Sequence, residues 1–361
     1  MTHIKMKENA PEILEKELSR LGCHSTTQLK NESLLNYLDS EEANRIEERL
    51  PPCPVIGISG GVSDAYQPIE SKLKITRRIL KVLLDFKTPV FILTKSDLVL
   101  RDLDLLREIN ELSFANVVFT ITLANESERS IFEPRASPNP SRFDALRELR
   151  ENRIHGGIMA TPIIPYIGDT CENMTALAKA AKESKAEFIQ FGGLTLKPGR
   201  QKELFMHVVR QNFPHKAQMI SSLYSNADYY GAPIYEKLPV NVLVQGYKIC
   251  KQIGISDRSL RHVRPGQPEM NTIVVSKLLD ISIRMRSLGY QYHKIKPYRD
   301  AAQRVEAHHG NIKSLLENED ADLMSVTPEI RAAIHSITKT GSCQILDDMK
   351  SKLDSLEDGC Y

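Results

Sequence analysis

The chain has 361 residues, which on the usual size prior is room for about two domains, and its 41% hydrophobic and 26% charged content is that of a globular protein. Lys+Arg 48 against Asp+Glu 46 leaves a formal net charge of +2, so bulk charge neither demands nor forbids a polyanionic partner and local charge must decide. The N-terminus has no apolar signal region, no apolar run nears the roughly 18 residues of a membrane span, and six scattered cysteines (Cys23, Cys53, Cys171, Cys250, Cys343, Cys360) read as reduced thiols, so the expected setting is cytoplasmic, with no membrane partner.

Asn9-Ala10-Pro11-Glu12 opens the first predicted helix, with Asn9 as N-cap, Pro11 in the first turn and Gly22 past the end. Residues 30–50 are polar, with Leu34, Leu35, Leu38, Ile46 and Leu50 spaced for short helices, and read as an insertion closed by Pro51-Pro52. Short apolar runs then follow at 55–59, 90–94, 117–122, 157–164 and 188–191. They alternate with helical patterns at 69–86, 102–112, 142–152, 171–184 and 200–211. In the 69–86 pattern Leu73, Thr76, Leu80 and Leu83 share one stripe.

Strand, helix, strand at this spacing predicts parallel βα units whose post-strand loops share one end of the sheet. The fold class is therefore α/β, a partial parallel βα barrel. The series opens on a helix where a βα series opens on a strand, so a first strand is missing. From 213 to 264 the pattern is helical, with helices at 217–224 and 242–253, and Pro265-Gly266-Gln267-Pro268 breaks it. Beyond that break 273–288, 298–308, 312–316, 328–338 and 344–356 all read as helices. The expected division is 1–264, a linker at 265–270, and a small all-α domain at 271–361.

The loops at the strand ends carry Gly60-Gly61-Val62-Ser63-Asp64-Ala65-Tyr66-Gln67-Pro68-Ile69-Glu70, Leu93-Thr94-Lys95-Ser96, Thr120-Ile121-Thr122, Glu133-Pro134-Arg135 and Pro162-Ile163-Ile164-Pro165. Gly60 and Gly61 let a ligand approach the backbone. Asp64 can accept from an ammonium, Lys95 and Arg135 can pair with a carboxylate or phosphate, and Thr120 and Thr122 supply hydroxyls. A zwitterionic ligand with an apolar portion suits this set.

These same motifs resemble the spore photoproduct lyase-like branch of the radical S-adenosylmethionine (SAM) enzymes, over about residues 5–264. The resemblance implies a partial (βα)6 barrel, SAM bound at a [4Fe-4S] cluster, and reductive cleavage to a 5′-deoxyadenosyl radical. It places Ser63 and Asp64 by the methionyl amino group, Lys95 at its carboxylate, Thr120 and Thr122 at a strand end, and Ile163 against adenine. The chain departs from the family in one decisive respect. The cluster motif Cys-x3-Cys-x2-Cys is absent, and cluster ligation needs those thiolates. Both that motif and the missing strand belong ahead of Met1, and the reading expects the frame to continue upstream. The hydrogen-donor cysteine of the spore enzyme is also replaced, by Gly61. Cys23-His24 with Cys53 matches no zinc-finger spacing.

Residues 272–356 resemble the helical N-terminal domain of family X DNA polymerases, a helix-hairpin-helix relative, through Val275-Ser276-Lys277-Leu278-Leu279-Asp280, the 295–306 segment and Lys339-Thr340-Gly341. From Lys277 to Arg304 seven cations (Lys277, Arg284, Arg286, Lys294, Lys296, Arg299, Arg304) face two aspartates, interleaved with Tyr290, Tyr292 and Tyr298. That pattern suits phosphate contact with stacking. The hairpin position reads Ser325-Val326-Thr327-Pro328-Glu329, where Pro lacks an N–H and Glu repels an anion. The position of the polymerase lyase nucleophile is Ala333, so no lyase chemistry is expected there.

The leading expectation is a radical SAM protein acting on nucleic acid, DNA above RNA, without a catalytic residue that can be named. Its rival is a non-catalytic nucleic-acid-binding protein on a degenerate barrel. A conventional barrel hydrolase or lyase using Asp64 and Lys95 is weaker, because no acid–base or metal constellation accompanies them.

Overall fold

A computed structural model describes residues 7–26, 53–59, 63–234, 237–264, 266–308, 310–317 and 326–357. The predicted insertion at 30–50 and the glycines Gly60 and Gly61 lie outside the described residues.

After α1 (Ala10–Arg20), five strands form one parallel sheet: β1 (Ile56–Ser59), β2 (Val90–Thr94), β3 (Ala115–Thr120), β4 (His155–Ile163) and β5 (Ile189–Gly193). Their order in the sheet is their order in the chain. Parallel neighbours need crossover helices. These are α2 (Glu70–Leu73) with α3 (Ile75–Asp85), then α4 (Leu103–Leu112), α5 (Glu126–Phe132) with α6 (Asn139–Glu151), and α7 (Cys171–Glu183). Leu80, Leu83, Leu106, Ile109, Leu146, Leu149 and Leu177 from these helices meet Val90, Ile92, Val117 and Ile158 of the strands in the main core. The alternation of buried and half-buried residues along β2 leaves Phe91 pointing to the opposite face. At the start of β4 two glycines allow the sheet to close up, since a Cβ on Gly157 would lie 2.6 Å from the Phe188 ring and one on Gly156 2.7 Å from the Val117 carbonyl.

The chain continues through α8 (Arg200–Asn212), α9 (Pro214–Leu223) and α10 (Val242–Ile253), after which Ser256 bridges Phe188 in parallel, beside the start of β5. From Glu269 on, α11 (Glu269–Ser287), α12 (Tyr292–Ala307), α13 (Ile312–Glu317), α14 (Pro328–Thr340) and α15 (Gln344–Ser355) gather a core of their own around Val274, Leu278, Ile281, Ala302, Ile334 and Leu346. Among the described residues no helix is long and apolar enough to cross a membrane.

The structure differs from the sequence expectation at three helices. The helix expected over 69–86 breaks at Lys74, whose φ of 53° is left-handed, and the Glu70 carboxylate accepts from Ile75 N (3.1 Å) and Thr76 N (2.9 Å) to cap the second piece. α5 was not expected, although Asn125 caps it and Glu128 stands three residues on, a sequence signature of a helix start. α12 begins six residues before the expected Tyr298 and carries Pro297 within it.

Candidate functional site: strand ends and a basic cleft

At the C-terminal ends of the strands the predicted ligand-binding groups are bonded to one another. Asp64 accepts from Tyr66 N (2.8 Å), Thr94 Oγ1 (2.8 Å) and Lys95 N (2.6 Å), so its carboxylate clasps the loop after β1 to the end of β2. The Lys95 ammonium pairs with Glu133, whose other oxygen accepts from Arg142 at 2.8 Å. Burial pushes the Glu133 carboxyl up, but Lys95 and Arg142 more than offset this and hold it below its ordinary range. Fully buried Arg142 also donates to the carbonyls of Thr120 and Ser137, each at 2.6 Å. Thr120 and Thr122 are buried, and the Thr122 carbonyl accepts from Asn173 Nδ2 at 3.1 Å. These residues form a contiguous network that fixes the loops.

One expectation is corrected here, and four other predicted residues are placed. Ile163 is a core residue, 1% exposed, so it presents no surface to an adenine ring. Asp64 and Lys95 are bonded to groups of the chain itself. Ser63 and Arg135 are exposed, and among the described residues neither side chain has a partner. Beyond β4, Asp169 is buried to 5% exposure, and burial pushes its carboxyl up to about 6 against the backbone N–H groups of Tyr166 and Asp169 itself.

Cys23 and Cys53 lie side by side, and burial together with that contact pushes the Cys23 thiol up to about 12. Exposed His24 does not join them in a ligand group, and among the described residues no three thiols gather. Cys23, Cys53, Cys250 and Cys343 are free, whereas Cys171 is disulfide-bonded, which corrects the reading of every cysteine as a reduced thiol. Cys171 is the first residue of α7.

A cleft of about 920 Å³ opens between the sheet and the C-terminal helices. Phe91, Asn116 and Gln190, at or near the starts of β2, β3 and β5, line one wall. Arg286 of α11 and Tyr292 and Arg299 of α12 line the other, and Arg258, Arg261, His262 and Arg264 come from the segment that leads to the break at 265–268. Five arginines thus face two carboxylates, Asp228 and Glu306. Arg261 is paired with Glu306 (3.0 Å) and Arg258 with Asp280 (2.7 Å). Arg286 and Arg299 are exposed and, among the described residues, have no acidic partner.

The predicted nucleic-acid residues therefore separate. Arg286 and Arg299 meet in the cleft. Arg284 is corrected: it is 1% exposed, salt-bridged to Asp257 and Asp280, with Tyr247 stacked at 4.5 Å. Tyr298 is corrected as well, being a core residue whose hydroxyl donates to Glu329 at 3.1 Å. Lys296 pairs with Asp300 one turn on, Lys294 lies over Tyr290 at 6.0 Å, and Arg304 is exposed. Of the expected blunt hairpin, Ser325 lies outside the described residues, while Thr327 caps α14 by accepting from Ile330 N at 3.4 Å.

Beside the cleft, His155 at the start of β4, Glu187 just before β5, and His262 come together. Glu187 Oε1 lies 2.9 Å from His155 Nδ1, and Glu187 Oε2 lies 3.2 Å from His262 Nε2. Arg150 also reaches Glu187 Oε1, at 2.9 Å. Burial pushes the Glu187 carboxyl up, yet the two histidines and Arg150 more than offset this and hold it at about 2. Sequence reading missed this group because its members are 32 and 75 residues apart.

No protein-family model matches the chain, and no solved structure matches it significantly. An uncharacterized protein of Methanocaldococcus jannaschii is 38% identical over 161 residues, 45% of this chain and 58% of that one. An uncharacterized protein of Acidianus two-tailed virus is 35% identical over 107 residues, 29% of this chain and 34% of its own length. An uncharacterized protein of Mycobacterium bovis is 24% identical over 194 residues, 53% of this chain and 56% of its own. The chain thus spans between about a third and three fifths of the length of these relatives.

Proposed function

We propose that this chain is a nucleic-acid-binding protein, and that a single strand lies in the cleft between the sheet and the C-terminal helices. The observation that carries this reading is the cleft wall, where Arg286 and Arg299 have no carboxylate partner among the described residues and Tyr292 is 63% exposed beside them. Unpaired guanidinium groups bind phosphate, and exposed aromatic rings accept unstacked bases. A cleft of about 920 Å³ has room for a few nucleotides of one strand.

The α/β part, in this reading, is a barrel of the spore photoproduct lyase-like radical SAM type without its first strand. Its support is the wording of the strand-end motifs and the sequential order of the five strands. The helices from Glu269 on would then be the polymerase X-like module, and the setting cytoplasmic. The described thiols do not fit a [4Fe-4S] cluster, so no radical step follows from these residues. SAM remains the cofactor that the resemblance assigns to the strand ends, with Ser63 and Asp64 at its amino group and Lys95 at its carboxylate, and Arg135 is exposed there without a partner among the described residues.

Fluorescence anisotropy of the full chain with a labelled single-stranded DNA, over a salt series, tests the binding reading. Replacing both Arg286 and Arg299 by Ala should weaken binding and lower the log–log salt slope by about 1.4, at about 0.7 per phosphate contact on a single strand. Lys294→Ala, outside the cleft lining, should leave the slope unchanged. Affinity and slope that survive the double change remove the cleft as the binding site.

A further inference from the structure

We infer that His155, Glu187 and His262 form a site for one zinc-like divalent cation. Two imidazoles and one carboxylate are a ligand set that zinc takes in a tetrahedral site with one position left over. At metal–ligand distances of about 2.0–2.2 Å, the edges of such a tetrahedron measure about 3.3–3.6 Å. His155 Nδ1 lies 2.9 Å from one Glu187 oxygen and His262 Nε2 3.2 Å from the other, and one ligand atom from each residue lies within 4.8 Å of the rest, so side-chain rotation is what brings the three to those edges.

The backbone holds two of the three ligands in place. Glu187 N donates to the Gly156 carbonyl at 2.9 Å, which fixes it beside His155 on the neighbouring strand. Arg150 is anchored on the Ile154 and Lys185 carbonyls (2.7 and 3.2 Å) and holds the carboxylate through Oε1, the oxygen that also meets His155. A hydrogen-bonded partner of this kind sets the direction of a ligating carboxylate. Phe114 stacks against His155 at 5.0 Å and limits water on that side. The third ligand is the adaptable one, because His262 lies on a segment with neither helix nor strand. The two imidazole centroids are 3.7 Å apart, and tetrahedral ligation spreads them to about 5 Å, a shift that rotation of His262 supplies. Binding would clamp the segment leading to the C-terminal helices onto the starts of β4 and β5. His262 also lines the cleft, but the nucleic-acid reading is carried by Arg286, Tyr292 and Arg299, so either can fail alone.

Isothermal titration of the full chain with Zn2+ should show one tight site. His155→Ala and His262→Ala should each weaken it by more than about a hundredfold, beyond the roughly 10–100-fold that loss of an outer-shell partner costs. Glu187→Gln, which keeps the side-chain shape and an acceptor oxygen, should weaken it to a similar degree, so a folding defect in a histidine variant cannot hide the result. Co2+ in place of Zn2+ should give a visible spectrum without a thiolate-to-metal charge-transfer band, which separates this site from Cys23 and Cys53. Absence of stoichiometric uptake, a thiolate band, or affinity kept in Glu187→Gln overturns the assignment.

Discussion

Arg284 and Asp257 join the α/β part to the C-terminal helices: Nη1 and Nη2 of the guanidinium meet the two carboxylate oxygens at 2.5 and 2.7 Å. The Nε of Arg284 reaches Asp280 at 2.8 Å, and Arg258 closes the set on Asp280 at 2.7 Å. Around it Asn241 donates to the Ser287 carbonyl (3.1 Å) and Leu353 packs on Val244 and Tyr247. An arginine that sequence reading assigns to phosphate is thus committed to holding the two halves together.

Arg284→Ala leaves two carboxylates without their main counter-charge and should cost about 3–5 kcal/mol, the scale of breaking a buried ion pair on one side. Burial pushes the Asp257 carboxyl up, but Arg284 and Arg258 more than offset this and hold it below its ordinary range. Stability from a depressed carboxyl is present above its unfolded pKa of about 3.9 and is lost as pH falls through the folded value. The difference between wild type and variant in urea midpoint should therefore be largest near neutral pH and shrink in acid. An equal difference at pH 3 and pH 7 would assign the loss to packing alone.

Periodicity made the scaffold legible. Residues 90–94 and 242–253 were expected where β2 and α10 stand, and most other elements fell within a few residues, because each buries a continuous stripe that the sequence itself displays. The site was harder to read for a physical reason. Ion pairing depends on partners far along the chain, so nothing local distinguishes Arg284, tied to Asp257 at a separation of 27 residues, from Arg286, which faces the cleft two positions later. The same holds for Tyr298 and Tyr292, one in a core and one exposed on the same helix. Asp64 and Lys95 were correctly brought to one strand-end region, but their partners, Thr94 and Glu133, turned them into a clasp.

Asp64 yields a stability prediction where the sequence alone suggests a ligand-binding one. Asp64→Ala removes the acceptor of the Tyr66 and Lys95 backbone N–H groups and should destabilise the chain by about 1–3 kcal/mol, the cost of leaving such donors unsatisfied. Asp64→Asn keeps one acceptor oxygen and should recover part of the loss. Denaturant midpoints of both variants check this, alongside calorimetry with SAM. Unchanged midpoints with lost SAM binding would return Asp64 to the ligand site.

Asp169 carries the opposite pH signature from Asp257. Its folded pKa, pushed up to about 6 by burial, exceeds the unfolded value of about 3.9, so between these values the folded chain binds more protons than the unfolded one. Stability from this group is full below about pH 4 and declines as pH rises to 6. Asp169→Asn removes the charge while keeping an acceptor for the Tyr166 N–H. It should raise stability at pH 7.5 by up to about 3 kcal/mol and have little effect at pH 4, because the wild-type carboxyl is already neutral there in the folded state. Urea denaturation of both proteins from pH 4 to 7.5 measures the difference directly. A variant whose advantage is the same at both ends of that range would show that Asp169 titrates alike in the folded and unfolded chain, and that burial does not govern its carboxyl.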